Sequence, residues 1–144
     1  MPETAATSWV DSSNKYHIRV YATSQNGNVS ERCWDGDNWY DGSYSGQGQY
    51  VAATSWIDGN DLLHIRVYTA NADGKISEQC WDAGNNARWY VGAYSGRGRS
   101  VSATAGVTSD GLLLRVYSVG DNGQVTEQCW DSTSAGWYVG KYSE

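Results

Sequence analysis

A unit of about 48 residues recurs three times along this chain, and its register hardly drifts. Its anchors are Ile18-Arg19-Val20-Tyr21, Ile65-Arg66-Val67-Tyr68 and Leu114-Arg115-Val116-Tyr117. At a fixed distance follow Glu31-Arg32-Cys33-Trp34-Asp35, Glu78-Gln79-Cys80-Trp81-Asp82 and Glu127-Gln128-Cys129-Trp130-Asp131. Trp39-Tyr40, Trp89-Tyr90 and Trp137-Tyr138 close the copies, which divide the chain into residues 1–48, 49–97 and 98–144. A repeat of this length points to a propeller, a solenoid or an array. One copy alone buries too little apolar surface to fold independently.

Each copy parses into four short strands, expected in the first at residues 5–10, 16–23, 28–35 and 38–44. Asn26-Gly27, Asp73-Gly74 and Asn122-Gly123 are hairpin signals between the second and third strands. Ser12-Ser13-Asn14, Asp58-Gly59-Asn60 and Ser109-Asp110-Gly111 supply the preceding turns. No segment carries a helical period. The expected fold class is therefore all-β, a β-propeller with three four-stranded blades in the chain.

Strand alternation then sorts the recurring side chains. Residues an odd number apart point to opposite faces, so Arg19 diverges from Ile18 and Glu31 from Trp34. Arginine and glutamate are twelve residues apart in every copy, across a hairpin. That spacing predicts that the two stand opposite each other on adjacent strands, to within about a residue. Each blade gains a polar Arg/Glu side and an apolar Ile/Trp side. Stacking blades in one rotational sense lines a groove with arginine and glutamate from one blade and tryptophan from the next.

Composition narrows what such a groove serves. Eight Trp and eleven Tyr stand beside no Phe, which suits wet interfaces better than a dry core. The net charge of −6, with no basic run, argues against nucleic acid and anionic membranes as partners. No stretch is long and apolar enough for a membrane span. The opening Met1-Pro2-Glu3-Thr4 lacks the regions of a signal peptide. The expectation is a soluble protein, cytoplasmic or exported by a non-classical route. Cys33, Cys80 and Cys129 occupy equivalent places in separate repeats and read as buried free thiols. No zinc spacing or calcium loop is present, so neither metal nor cofactor is expected. His17 and His64 read as ordinary strand residues.

A sugar ring needs directional hydrogen bonds to its hydroxyls and an aromatic face for its C–H patch. Arginine supplies donors in a rigid fork, a carboxylate supplies acceptors, and tryptophan supplies the face. The competing reading of arginine and glutamate is a structural ion pair between strands, of the kind that contributes little. A glycoside hydrolase normally needs two carboxylates flanking one bond. Here Glu31 and Asp35 are four apart in each copy, and the adjacent arginine would keep the glutamate ionised. A protein-interaction scaffold is the other rival.

Ala6-Thr7-Ser8-Trp9, Ile18-Arg19-Val20-Tyr21, Glu31-Arg32-Cys33-Trp34-Asp35-Gly36 and Trp39-Tyr40 together resemble the Aleuria/Ralstonia-type fucose-specific lectins. The resemblance covers essentially the whole chain. It implies a six-bladed ring and non-catalytic binding of L-fucose and fucosylated oligosaccharides between blades. One cleft would use Arg19, Glu31 and Ser43 with Trp81 and Trp89, beside Leu63 and Ile65. A second would use Arg66, Glu78 and Ala93 with Trp130 and Trp137, beside Leu112 and Leu114. The third has Arg115, Glu127 and Lys141, and its wall would be Trp34, Trp39, Tyr16 and Ile18 of another subunit. A homodimer completing six blades follows, with several sites on one rigid body and an avidity gain of roughly 10² to 10⁴. The third copy departs from the others at Gly106 and Leu113, where Trp9 and His17 stand in the first, and altered packing is expected there. The loop 83–88 lengthens the spacing from Trp81 to Trp89.

Overall fold

The computed structural model describes residues 2–142. The first sheet contains β1 (Thr4–Val10), β2 (Tyr16–Thr23), β3 (Asn28–Trp34) and β4 (Trp39–Gln47), hydrogen-bonded in that order. The second contains β5 (Tyr50–Ile57), β6 (Leu63–Ala70), β7 (Lys75–Asp82) and β8 (Trp89–Arg97). The third contains β9 (Val101–Thr108), β10 (Gly111–Val119), β11 (Val125–Asp131) and the short β12 (Tyr138–Val139). All pairings are antiparallel. The chain is an all-β array of three propeller blades, and no helix among the described residues is long and apolar enough to cross a membrane.

The hairpin turns fall where the sequence placed them, with Gly27, Gly74 and Gly123 at φ of 79°, 84° and 81°. These are left-handed conformations that glycine adopts without a Cβ penalty. The fourth strand of the first blade runs to Gln47, beyond the expected residue 44. It does so because the pairing of β3 with β4 slips at a bulge between Ser30 and Arg32 and then resumes.

The core lies between the blades. Tyr21, Val29 and Tyr44 from the first blade meet Val51, Ile65 and Val67 from the second. Tyr68, Ile76 and Tyr94 from the second meet Val101 and Val116 from the third. Along β3 the alternation is clean: Val29, Glu31 and Cys33 are buried, and Asn28, Ser30 and Arg32 are exposed. The innermost strands adjoin one another, with Thr7 Oγ1 2.6 Å from Ser55 Oγ. Each blade hands over to the next through a clamped link: the Gln49 amide donates to Ala70 O, and the Arg99 amide to Val119 O, both at 2.8 Å. Cys33, Cys80 and Cys129 are free and buried, as their repeated position implied.

Candidate functional site

The bulge that lengthens β4 also creates the acceptor of the site. Pairing jumps from Ser30↔Ser45 to Arg32↔Asp41, so Gly42, Ser43 and Tyr44 bow out opposite Glu31. The freed Tyr44 amide donates to Glu31 Oε1 at 3.2 Å, and the Tyr21 hydroxyl donates to Oε2 at 2.6 Å. A side chain at Gly42 would collide with the Glu31 carboxylate. The second blade repeats this with the Tyr94 amide at 3.2 Å and the Tyr68 hydroxyl at 2.7 Å on Glu78, across from Gly92. In the third, the Tyr142 amide and the Tyr117 hydroxyl serve Glu127 at 3.1 and 2.7 Å. The Tyr117 hydrogen bond, against some desolvation, holds the Glu127 carboxyl below the ordinary range. Burial and the neighbouring Glu31 push the Tyr21 hydroxyl well above its usual pKa, so it stays a donor.

The arginine has a different partner from the one expected. Tyr21, not Arg19, stands opposite Glu31, and Arg19 stands opposite Cys33. Arginine and glutamate therefore share a face but lie diagonally, two positions apart. Arg19 Nη1 donates to Asp35 Oδ1 at 2.9 Å and to Ile18 O at 3.0 Å. Arg66 does the same with Asp82 and Ile65 O, at 2.8 and 3.0 Å, and Arg115 with Asp131 and Leu114 O, at 2.7 and 2.9 Å. An Arg–Glu ion pair is thus absent among the described residues, and the glutamate is left to its tyrosine and amide donors.

The aspartates are held from several sides. Burial pushes the Asp35 carboxyl up, but hydrogen bonds from His17, Tyr40 and Arg19 outweigh it and bring it well below the carboxylate range. Asp82 is lowered in the same way by Tyr90, His64 and Arg66 against burial, and Asp131 by Tyr138 and Arg115. His17 and His64 are therefore not ordinary strand residues: each bridges two aspartates, Asp11 and Asp35 in one blade, Asp58 and Asp82 in the other. A carboxyl depressed by folding lends stability that is complete above its unfolded pKa of about 4 and fades as pH drops below it. Urea unfolding at stepped pH should give a level midpoint from neutrality to about pH 5 and a progressive fall below about pH 4. A midpoint unchanged between those ends would contradict the depressed aspartates.

The aromatic wall comes from the following blade. Trp81 and Trp89 sit opposite each other in register, and Trp89 packs edge-on against Tyr44 with ring centroids 4.8 Å apart. Together they enclose a cleft of about 310 Å³ lined by Arg19, Glu31, Ser43, Leu63, Ile65, Trp81 and Trp89. A second cleft of about 240 Å³ is lined by Arg66, Glu78, Ala93, Leu112, Leu114, Trp130 and Trp137. The structure brings both expected sets together. It also places Cys33, Tyr40, Asp41 and Gly42 in the first cleft, and Cys80, Tyr90 and Gly92 in the second. The cysteines were legible in principle, since an even spacing from the glutamate puts them on its face. Burial, then the glutamate's charge, pushes these thiols up to about 11 and about 12, so they stay protonated as small floor residues.

Arg115, Glu127 and Lys141 lie on the outer face of the third blade, and Tyr16, Ile18, Trp34 and Trp39 on the opposite outer face of the first. Within one chain these two groups are not brought together. No cluster of metal-ligating side chains occurs among the described residues.

A family model described as fungal fucose-specific lectin matches residues 2–60. Among solved structures, a fucose lectin from Kordia zhangzhouensis in complex with methyl-fucoside is 43% identical, with a TM-score of 0.84 over 96% of this chain and 99% of that one. SapL1 lectin in complex with α-methyl fucoside is 37% identical, with a TM-score of 0.74 over 96% of this chain and 46% of that one. A lectin from Aleuria aurantia, described as a six-bladed β-propeller with a novel fucose recognition mode, is 30% identical, with a TM-score of 0.77 over 99% of this chain and 47% of that one. The chain spans nearly the whole of the first and about half of each of the other two. No curated protein sequence matches it.

Proposed function

This chain belongs to the fungal fucose-specific lectin family, and from that premise we propose that it binds L-fucose and fucosylated oligosaccharides, without catalysis, in the clefts between blades. The observation that carries this reading is the composition of each cleft: an anchored arginine and a buried glutamate from one blade face two tryptophans from the next. Nη1 of Arg19 is spent on the protein, so its Nε and Nη2 are the donors offered to sugar hydroxyls. Glu31 offers its remaining lone pairs as acceptors. Trp81 and Trp89 give the C–H patch an aromatic face, and Leu63 and Ile65 suit the methyl group of a deoxy sugar. The family is one of sugar-binding lectins, not enzymes, and both carboxylate oxygens of Glu31 are already engaged by the Tyr21 hydroxyl and the Tyr44 amide of its own blade.

The outer faces favour a second copy of the chain as partner. Tyr44 on Trp89 and Tyr94 on Trp137 make the same edge-on contact at 4.8 Å between successive blades. The next members of that series, Tyr142 and Trp39, are 49% and 44% exposed at opposite ends of the array. A twofold pair of chains would join them, close six blades and complete the Arg115 cleft.

Calorimetric titration with methyl α-L-fucoside, run beside sedimentation velocity, tests both parts. The expected result is near three sites per chain in a particle twice the chain mass. Two sites in a monomer would overturn the closed ring, and no binding of any fucoside would overturn the lectin reading.

A further inference from the structure

The third blade differs from the first two in three side chains that all fall in one place. By strand register, Gly106 replaces Trp9 and Trp56, and Leu113 replaces His17 and His64. Thr108 stands where the turn begins with Asp11 and Asp58. In the first two blades these side chains form a relay of contacts ending on the cleft arginine. Asp11 Oδ1 accepts the Ser13 and Lys15 amides at 2.9 and 3.0 Å, and its Oδ2 lies 2.8 Å from His17 Nε2. His17 Nδ1 lies 2.7 Å from Asp35 Oδ1, the same oxygen that receives Arg19 Nη1. The His17 ring stacks on Trp9 at 5.2 Å and 9°, and the Arg19 guanidinium lies 5.0 Å over the same indole. The second blade repeats the relay through Asp58, His64 and Asp82 at 2.7 and 2.6 Å, with Arg66 4.9 Å over Trp56.

The strands do not need this set, because β9 and β10 pair along their full shared length without it. What the third blade lacks is local to its arginine. Arg115 keeps the bond to Asp131, but among the described residues no indole lies over its guanidinium and no histidine backs its aspartate. An anchor at Nη1 alone leaves the planar fork free to swing about that atom. An indole against its face and a fixed carboxylate behind it remove that freedom before a ligand arrives.

We propose that Trp9, Asp11 and His17, and likewise Trp56, Asp58 and His64, are positioning residues that lock the plane of the cleft arginine, so that the protein carries two grades of cleft, locked at Arg19 and Arg66 and unlocked at Arg115. The proposal rests on the sugar-binding reading above, and it deepens it by ranking the clefts. The locked clefts bind sugar more tightly, since less conformational freedom remains to be lost on binding.

The double variant His17→Leu/His64→Leu copies a residue the third blade already carries. Titration with methyl α-L-fucoside should resolve two classes of site in the wild type. In the variant it should give one weak class, with the site number kept and the tight class weakened about ten-fold. The arginine Nε–H resonances report the locking without any ligand: those of Arg19 and Arg66 should be sharp in the wild type and broaden in the variant to match Arg115. Unchanged affinity, or unchanged resonances in a folded variant, overturns the proposal. Should that variant fail to fold, Gly106→Trp decides, because a Cβ there meets nothing within 4 Å. It should sharpen the Arg115 resonance, and its failure to do so overturns the proposal. If the wild type binds no fucoside, the lectin reading falls, while the resonances still decide the locking.

Discussion

Gly92→Ala is expected to lower the melting temperature by roughly 10 °C, about 3 kcal/mol in a chain of this size, and to abolish the cleft behind it. The added Cβ would overlap Glu78 Oε1 and would lie 2.6 Å from its Cδ and 2.7 Å from Cys80 Sγ, well inside van der Waals contact. Glu78 is 4% exposed and is pinned by the Tyr68 hydroxyl and the Tyr94 amide, so it has nowhere to retreat. Either the carboxylate surrenders its donors and stays buried without them, or the bulge unwinds. Both remove the acceptor from the cleft. Differential scanning calorimetry with and without methyl α-L-fucoside checks both effects, and a variant that melts like the wild type would show that the bulge can yield.

Arg66→Ala should remove sugar binding at the second cleft, with a loss of more than about 100-fold there, because a charged hydrogen-bonding partner is truncated in a desolvated site. The fold should survive, since Asp82 keeps Tyr90 and His64 as donors or neighbours. Arg66→Lys should be intermediate at best. A single ammonium cannot hold Asp82 and Ile65 O and still present two further donors in a fixed fork. In calorimetry the alanine variant should lose one site per chain and leave the others unaltered. A full complement of sites at wild-type affinity would remove Arg66 from the binding set.

These two residues also mark the limits of what the sequence disclosed. The blades, their faces and the division of each cleft between neighbours were legible, because alternation along a strand is strict and the repeat displayed it three times. The bulge was not. Gly42, Ser43 and Tyr44 together oppose Glu31, and a period of two says nothing about where such an excess is absorbed. The diagonal placement of Arg19 and Glu31 was missed for a similar reason: the hairpin closes at Thr23↔Val29, and that turn length sets Arg19 against Cys33. With the register displaced, Asp35 emerges as the partner of the arginine. The bridging role of His17 was hidden because its two carboxylates come from the turn before its own strand and from the residue just past the next strand, at separations no motif spells out.

The division of each cleft between two blades has a thermodynamic corollary. A molecule that touches both walls prefers them docked to apart, and by mass action it strengthens whatever holds them together. In a ring made of two chains, four clefts lie inside the chains and two span the seams. Sugar in the four stiffens each half, whereas sugar in the two ties the halves to one another. At a ligand concentration 100-fold above its dissociation constant, each seam gains roughly 2.7 kcal/mol. A surface dense in fucose would then recruit assembled rings from a dilute pool of half-rings, and the glycan itself would be the clasp.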